Sequence, residues 1–234
     1  MYIPDYTEVK DRTKLITFMK EHNFALLISS NSDFPEVTPL PFVISEEKGN
    51  VKLITHLARA NPQWENINEK ENVLVLFQGP HCYISPDFYE SKINVPTWNY
   101  TMVAACGKPK LFHEREKHLT LVHSMFEILE PKFRNQWNEL PDNYKEKLFN
   151  GIVGIEIEVE KLEGKFKLSQ NKTLNEQRKI IEGLKTSNNS LQKGVAEMME
   201  ENLSKTLRGQ NMDNKLQTRK VRTLIFRFHS NIME

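Results

Sequence analysis

Apolar residues recur at two different periods along this chain of 234 residues. Behind Asp11, the residues Leu15, Phe18, Met19 and His22 fall at i, i+3, i+4 and i+7, which predicts a capped helix with one buried face. The residues before it, up to Tyr6, read as a short extended start. Phe24 to Ser29 is a compact apolar run closed by the turn cluster Ser-Ser-Asn-Ser-Asp. A second extended stretch, Glu36 to Ile44, contains Pro39 and Pro41, and a residue that cannot donate to a ladder belongs at an irregular or edge position. After the turn Glu46 to Asn50 comes Val51 to Leu57. Val73 to Phe77 reads VLVLF, a strand expected to be buried on both faces, with Tyr83 and Ile84 extending it or pairing with it. Trp98 to Lys108 is a further extended segment. Ile155, Ile157 and Val159 alternate with Glu156, Glu158 and Glu160, the pattern of a half-buried antiparallel strand.

Helical period interrupts these strands. Leu119, Val122, Phe126 and Leu129 recur at helical spacing from about His113 to Pro131, and a short helix follows Pro141-Asp142. Together they predict a helical insertion ahead of the last strand. From Lys165 the text turns polar and rich in Asn, Gln and Lys, with helices expected over Thr173 to Leu184 and Ser190 to Leu203. Lys205 to Glu234 holds seven Lys or Arg against two Asp or Glu and reads as a basic tail, either an arm that touches DNA or a terminus without a function. The expected organisation is thus residues 1–164 as one domain including the insertion 113–149, residues 165–204 as polar loop and helices, and residues 205–234 as the tail.

Composition narrows the classes. Apolar residues make up 38% and charged residues 27%, ordinary for a folded soluble chain. With 32 Lys and Arg against 31 Asp and Glu, no global field steers the molecule onto polyanions, so any such site is local. The two cysteines, Cys82 and Cys106, are too few for a disulfide scaffold and lack CxxC spacing for zinc, which points to a reducing cytoplasm. No run approaches the ~18 apolar residues of a membrane span, and the start MYIPDYTEVKDR has no leader pattern, so no membrane partner is expected.

Two segments can carry chemistry. In Thr55-His56-Leu57-Ala58-Arg59-Ala60-Asn61-Pro62-Gln63-Trp64 a strand ends and a helix begins, with Asn61 as cap and Pro62 as first helical residue. Unpaired N–H groups at a helix start, next to the guanidinium of Arg59, suit a phosphate; an exposed arginine beside an ordinary capped helix is the alternative. In Phe77-Gln78-Gly79-Pro80-His81-Cys82-Tyr83, Gln78 offers donor and acceptor to the edge of a planar heterocycle whose face Tyr83 and Trp98 can line, although both aromatics could equally be core. No metal site is expected, because the histidines of His113-Glu114-Arg115-Glu116-Lys117-His118 are five apart and HExxH is absent. Neither GxSxG, a P-loop nor GxGxxG occurs, which argues against hydrolase and kinase chemistry.

The blocks HLARANPQW (56–64), FQGPHCYISPDFY (77–89), VPTWNY (95–100) and GIVGIEIEVEKLEGKFKLSQN (151–171), in that order, resemble the PaiB-type family of FMN-binding negative transcriptional regulators. The resemblance runs from MYIP at residue 1 to about residue 203. It implies an α+β, mainly β fold, a split β-barrel of the pyridoxamine-phosphate-oxidase type with peripheral helices, forming a homodimer with FMN at the interface. It places the FMN phosphate at Thr55, Ala58, Arg59 and Ala60, with Arg59 the leading contact; where the pattern commonly has a second phosphate-binding lysine, this chain has Ala60. The ring is expected along Thr38, Pro39 and Leu40 up to Pro41, with Gln78 at its polar edge and Trp98 on its face, and Lys167 and Ser169 closing the pocket. The implied function is repression of sporulation and degradative-enzyme genes, with DNA as a second partner. The alternatives are an FMN-dependent oxidoreductase, since the cofactor carries the hydride chemistry, or a haem-binding split-barrel protein, so whether the chain is an enzyme stays open at this point.

Overall fold

A computed structural model of the chain describes residues 1–30 and 34–207. These divide into two compact units, the first made of residues 1–79 and 100–166, the second of residues 80–99 and 167 onward. The expected basic tail lies outside the described residues from 208 on.

The first unit is built on seven strands: β1 (Phe24–Ser30), β2 (Pro35–Pro41), β3 (Val43–Glu47), β4 (Asn50–Ala58), β5 (Val73–Ile84), β6 (Thr97–Phe112) and β7 (Ile152–Lys167). They form one antiparallel sheet in the order β2-β1-β5-β6-β7-β4-β3, and the chain of β5, β6 and β7 continues into the second unit. β2 pairs with β1 over its whole length, Phe24 opposite Pro41 and Ser30 opposite Pro35, and has no strand beyond it in this order. That is the edge position its prolines demand. Contrary to expectation, VLVLF is not buried on both faces: Val73, Val75 and Phe77 are buried, while Leu74 and Leu76 are only partly covered. β7 also outruns its alternating core, since it stays paired through the charged stretch 160–167.

Helix α1 (Arg12–Glu21) starts where the sequence places it, with the Asp11 carboxylate accepting from the Lys14 N–H at 3.2 Å, and buries Leu15, Ile16, Phe18 and Met19. The residues before it include a 3-10 turn, Asp5–Thr7, rather than an extended start alone. Helix α2 (Gln63–Asn66) is a single turn. The insertion contains α3 (Arg115–Leu129), α4 (Phe133–Glu139) and α5 (Asp142–Asn150); α4 has no legible period and forms because Trp137 packs on Phe126 and Phe149. In the second unit, α6 (Leu174–Lys185) begins in a capping box between Thr173 and Glu176, and a helix α7 covers residues 190–207. Their buried faces are Ile180, Ile181 and Leu184 on α6 and Val195, Ala196, Met199 and Leu203 on α7.

His118 on α3 is buried between aromatic rings, with Phe112 at 5.3 Å and Phe149 stacked at 6.0 Å. Neither ring nitrogen meets a partner at hydrogen-bond geometry. Burial first, then His113, His56 and Arg59 nearby, hold its pKa below the usual histidine value, against a small opposing pull from the Phe112 carbonyl. The unfolded chain therefore takes up the proton first. Stability is complete above the unfolded histidine pKa of about 6.5 and is lost as pH falls from there through the lower folded value. His22 and His56 shift in the same direction through burial. Denaturant midpoints measured from pH 8 to 5 should thus fall less steeply in His118→Leu than in the native chain; equal slopes would remove His118 from the account.

Candidate functional site

The end of β4 organises the first unit's polar residues. β4 pairs with β7 from Lys52 opposite Glu158 to Ala58 opposite Ile152, and alternation turns Thr55 inward, where it is fully buried. The Thr55 hydroxyl donates to the Pro41 carbonyl at 2.7 Å, so its part is to brace β4 against the end of β2. Beyond Ala58 the chain turns, with the Asn61 N–H donating to the Ala58 carbonyl at 2.9 Å and the Asn61 side chain accepting from the Gln63 N–H at 3.0 Å. Pro62, expected as the first helical residue, is the cap of a helix that starts one residue later. With only one turn, α2 offers little of the dipole that the sequence reading invoked for a phosphate.

Arg59 is fixed by main chain instead. Its Nε donates to the Asn150 carbonyl at 2.7 Å and its Nη2 to the Ile152 carbonyl at 3.1 Å, while its own N–H donates to the Gly151 carbonyl at 2.8 Å. These groups lie at the C-terminal end of α5, where a cation is favourable. The guanidinium lies 5.9 Å from the Trp64 ring, and the indole N–H returns a bond to the Arg59 carbonyl at 2.8 Å. His113 approaches with Nδ1 at 3.5 Å from Nη2. Among the described residues no carboxylate pairs with Arg59, so a permanently charged fork is held in place by neutral acceptors. Ala58 and Ala60 flank it, both exposed and small.

Thr38 on β2 joins this region through a network that the sequence reading does not contain. Its hydroxyl donates to Gln63 Oε1 at 2.6 Å and accepts from Asn61 Nδ2 at 3.0 Å. Gln63 is buried, and its Nε2 donates to Ser29 Oγ at 3.0 Å and the Glu36 carbonyl at 3.2 Å. A glutamine at a helix start carries no signal of such burial. Pro39 is exposed, Leu40 is buried, and Gln78 on β5 is exposed.

The other three candidates belong to the second unit. Trp98 is 54% exposed, with Tyr83 edge-on at 6.3 Å and His81 at 6.4 Å. Lys167 Nζ donates to Thr97 Oγ1 and to the Trp98 carbonyl. Ser169 has a φ of +60° and shares a hydrogen bond with the buried amide of Asn99. Burial pushes the Cys82 thiol up to about 11, so it stays protonated and carries no nucleophile. Among the described residues no group of three or more His, Cys, Asp or Glu could hold a metal ion, and no helix is long and apolar enough to cross a membrane.

The family model described as "Putative FMN-binding domain" matches residues 1–161. The "Protease synthase and sporulation protein PAI 2" of Bacillus subtilis is 35% identical over 212 residues, which is 88% of this chain and all of that protein. The chain belongs to the PaiB-type family of FMN-binding domains. The PaiB-type fold is also found in solved structures. The flavocytochrome Anf3 of Azotobacter vinelandii superposes with a TM-score of 0.55 at 15% identity, covering 70% of this chain and 72% of that one. The "FAD and Heme binding protein" of Mycobacterium smegmatis does so with a TM-score of 0.51 at 12% identity, covering 69% and 73%. At these identities the likeness concerns the fold alone, the split barrel expected from the sequence.

Proposed function

We propose that this PaiB-type protein binds FMN and acts as a homodimer that represses sporulation and degradative-enzyme genes. The flavin reading is supported above all by Arg59, a charge fixed in position beside two exposed alanines with no carboxylate among the described residues to cancel it. That donor set fits a phosphate dianion: the guanidinium supplies charge, and the small flanking side chains leave the turn open to approach. In this reading Arg59 holds the phosphate, Thr38, Pro39 and Leu40 run beside the ring, and the exposed amide of Gln78 meets its polar edge. Thr55 shapes the turn from inside. When bound, FMN supplies a redox-active ring, and the protein's own residues position it.

The regulatory reading is supported by the full-length match to the Bacillus subtilis protein, whose name refers to protease synthesis and sporulation. Binding to a promoter fragment of a degradative-enzyme gene should fall tenfold or more between about 50 and 200 mM salt, and should exceed binding to random DNA. Equal binding to both DNAs, together with steady oxidation of NADH or NADPH in the presence of FMN, would replace the regulator by an oxidoreductase.

The homodimer is supported by apolar exposure along the β1–β2 ribbon, where Phe24, Phe34 and Val37 are 66%, 77% and 52% exposed. Phe77 is fully buried in the chain's own core against Phe42 and takes no part in such a surface. Light scattering at micromolar concentration should give twice the chain mass; a monomer would count against the shared site.

A further inference from the structure

We infer that the cleft between α3 and the β3–β4–β7 part of the sheet is a binding site for a small neutral ligand, one aromatic ring in size, that carries a hydrogen-bond donor. All of its walls belong to the first unit. Strand register builds one wall: Val43 lies opposite Ile54, and Ile54 opposite Glu156, so these residues form a row across three strands. Helical period builds the other, since Lys117, Thr120, Leu121 and Ser124 fall at i, i+3, i+4 and i+7 and share one face of α3. The buried side chains of Leu121 and Phe112 complete an apolar lining. Where a stripe facing a sheet ordinarily carries large apolar residues, this one has Thr120 and Ser124, and Val43 and Ile54 across from them are partly covered. The short side chains leave a cavity of about 230 Å³.

The polarity of the cavity follows from where its hydrogens point. The Thr120 hydroxyl donates to the Glu116 carbonyl at 2.9 Å, and the Ser124 hydroxyl donates to the Thr120 carbonyl at 2.9 Å. Each hydroxyl oxygen therefore meets a ligand as an acceptor. The charges of the lining are matched from outside it. Glu116 is paired with Arg115 at 3.4 Å, Glu156 with Lys52 at 3.2 Å, and Lys117 with Glu114 at 2.8 Å. With every lining charge already met by its opposite, the site calls for a guest without charge, and its two hydroxyl acceptors call for a donor. Size narrows the guest further. An apolar cavity of ~150 Å³ holds benzene and drug-sized pockets begin near ~300 Å³, so about 230 Å³ suits one ring with a substituent and not a flavin.

The test is titration of the full chain, followed by ligand-observed NMR, with three probes of one ring each: phenol, anisole, in which the donor is methylated, and benzoate, an anion at neutral pH. Phenol should bind saturably with a Kd of about 1 mM or below, roughly threefold or more tighter than anisole and roughly tenfold or more tighter than benzoate. Ser124→Leu fills the cavity with a residue that favours the helix more than serine does, so it should weaken phenol at least tenfold without lowering the melting temperature. Thr120→Leu, on the same face, makes the same test should Ser124→Leu melt early. Absence of saturable phenol binding, equal binding of the three probes, or unchanged binding in both folded variants overturns the proposal. So does displacement of phenol by riboflavin, which would put the probe in the flavin site. A fall in the light-scattering mass on saturation with phenol would make a second copy of the chain the occupant and overturn it as well.

Discussion

Replacing Arg59 by alanine is expected to weaken FMN binding by roughly 1.5 to 3 kcal/mol, about 10- to 150-fold, while riboflavin loses far less. The difference is expected because only FMN carries a phosphate dianion, and Arg59 is the contact proposed for it. The substitution also removes the bonds to the Asn150 and Ile152 carbonyls, so some loss of stability accompanies it. That structural cost would act on both ligands alike, which is why the ratio of the two affinities is the decisive quantity. Fluorescence titration of FMN and of riboflavin against both chains measures it. Equal losses for the two ligands would reduce Arg59 to a strut between β4 and α5. The guanidinium's present partners would then be its whole purpose.

Gly107→Ala should be the most destabilising single-methyl change in the first unit. Gly107 lies on β6, and a Cβ there would stand 1.9 Å from the Glu158 carbonyl oxygen and 2.7 Å from its carbon. Both obstacles are main chain of β7, so relief requires moving a strand and not a side chain. Overpacking of a rigid site costs roughly 1 to 3 kcal/mol and occasionally more, and a backbone obstacle belongs at the upper end. About 3 kcal/mol corresponds to a fall in melting temperature of roughly 6 to 12 °C for a chain of this size. Gly49→Ala provides the control: its φ of +85° makes alanine strained, but nothing lies within 4 Å of the new methyl. A cost of about 1 kcal/mol is expected there. If thermal melts show Gly107→Ala no worse than Gly49→Ala, the strands do not approach so closely.

The elements legible in the sequence were those whose own residues suffice to define them. Asp11 and the stripe Leu15, Phe18 and Met19 specify both the start of α1 and its buried face. The Thr173 and Glu176 capping pair marks α6 in the same way. What escaped depends on partners distant in the chain. The end of β7 carries Lys161, Glu163, Lys165 and Lys167 on one face and Leu162, Gly164 and Phe166 on the other, and it finds a partner in the distant Glu8, which bridges to Lys165. α4 exists because Trp137 finds Phe126 and Phe149. In the candidate site, Arg59 stood out by its residue type beside small neighbours, whereas its anchorage on residues 150–152 could not be read locally. The Thr38, Asn61 and Gln63 network joins two segments more than 20 residues apart and left no periodic trace.

The edge strand β2 has a further consequence for solubility. Antiparallel pairing alternates direction, so the bonds to β1 are carried by Glu36, Thr38 and Leu40, while Pro35, Val37, Pro39 and Pro41 turn their nitrogen positions outward. Three of those four have no hydrogen to give. An incoming strand would find acceptors along this border but a single donor, at Val37, and could not build a continuous ladder. Two copies meeting at their exposed apolar side chains can therefore associate face to face without seeding the endless strand-on-strand growth that an open sheet invites. The same prolines that make β2 a poor strand thus act as a terminator, allowing an assembly to stop at a defined size.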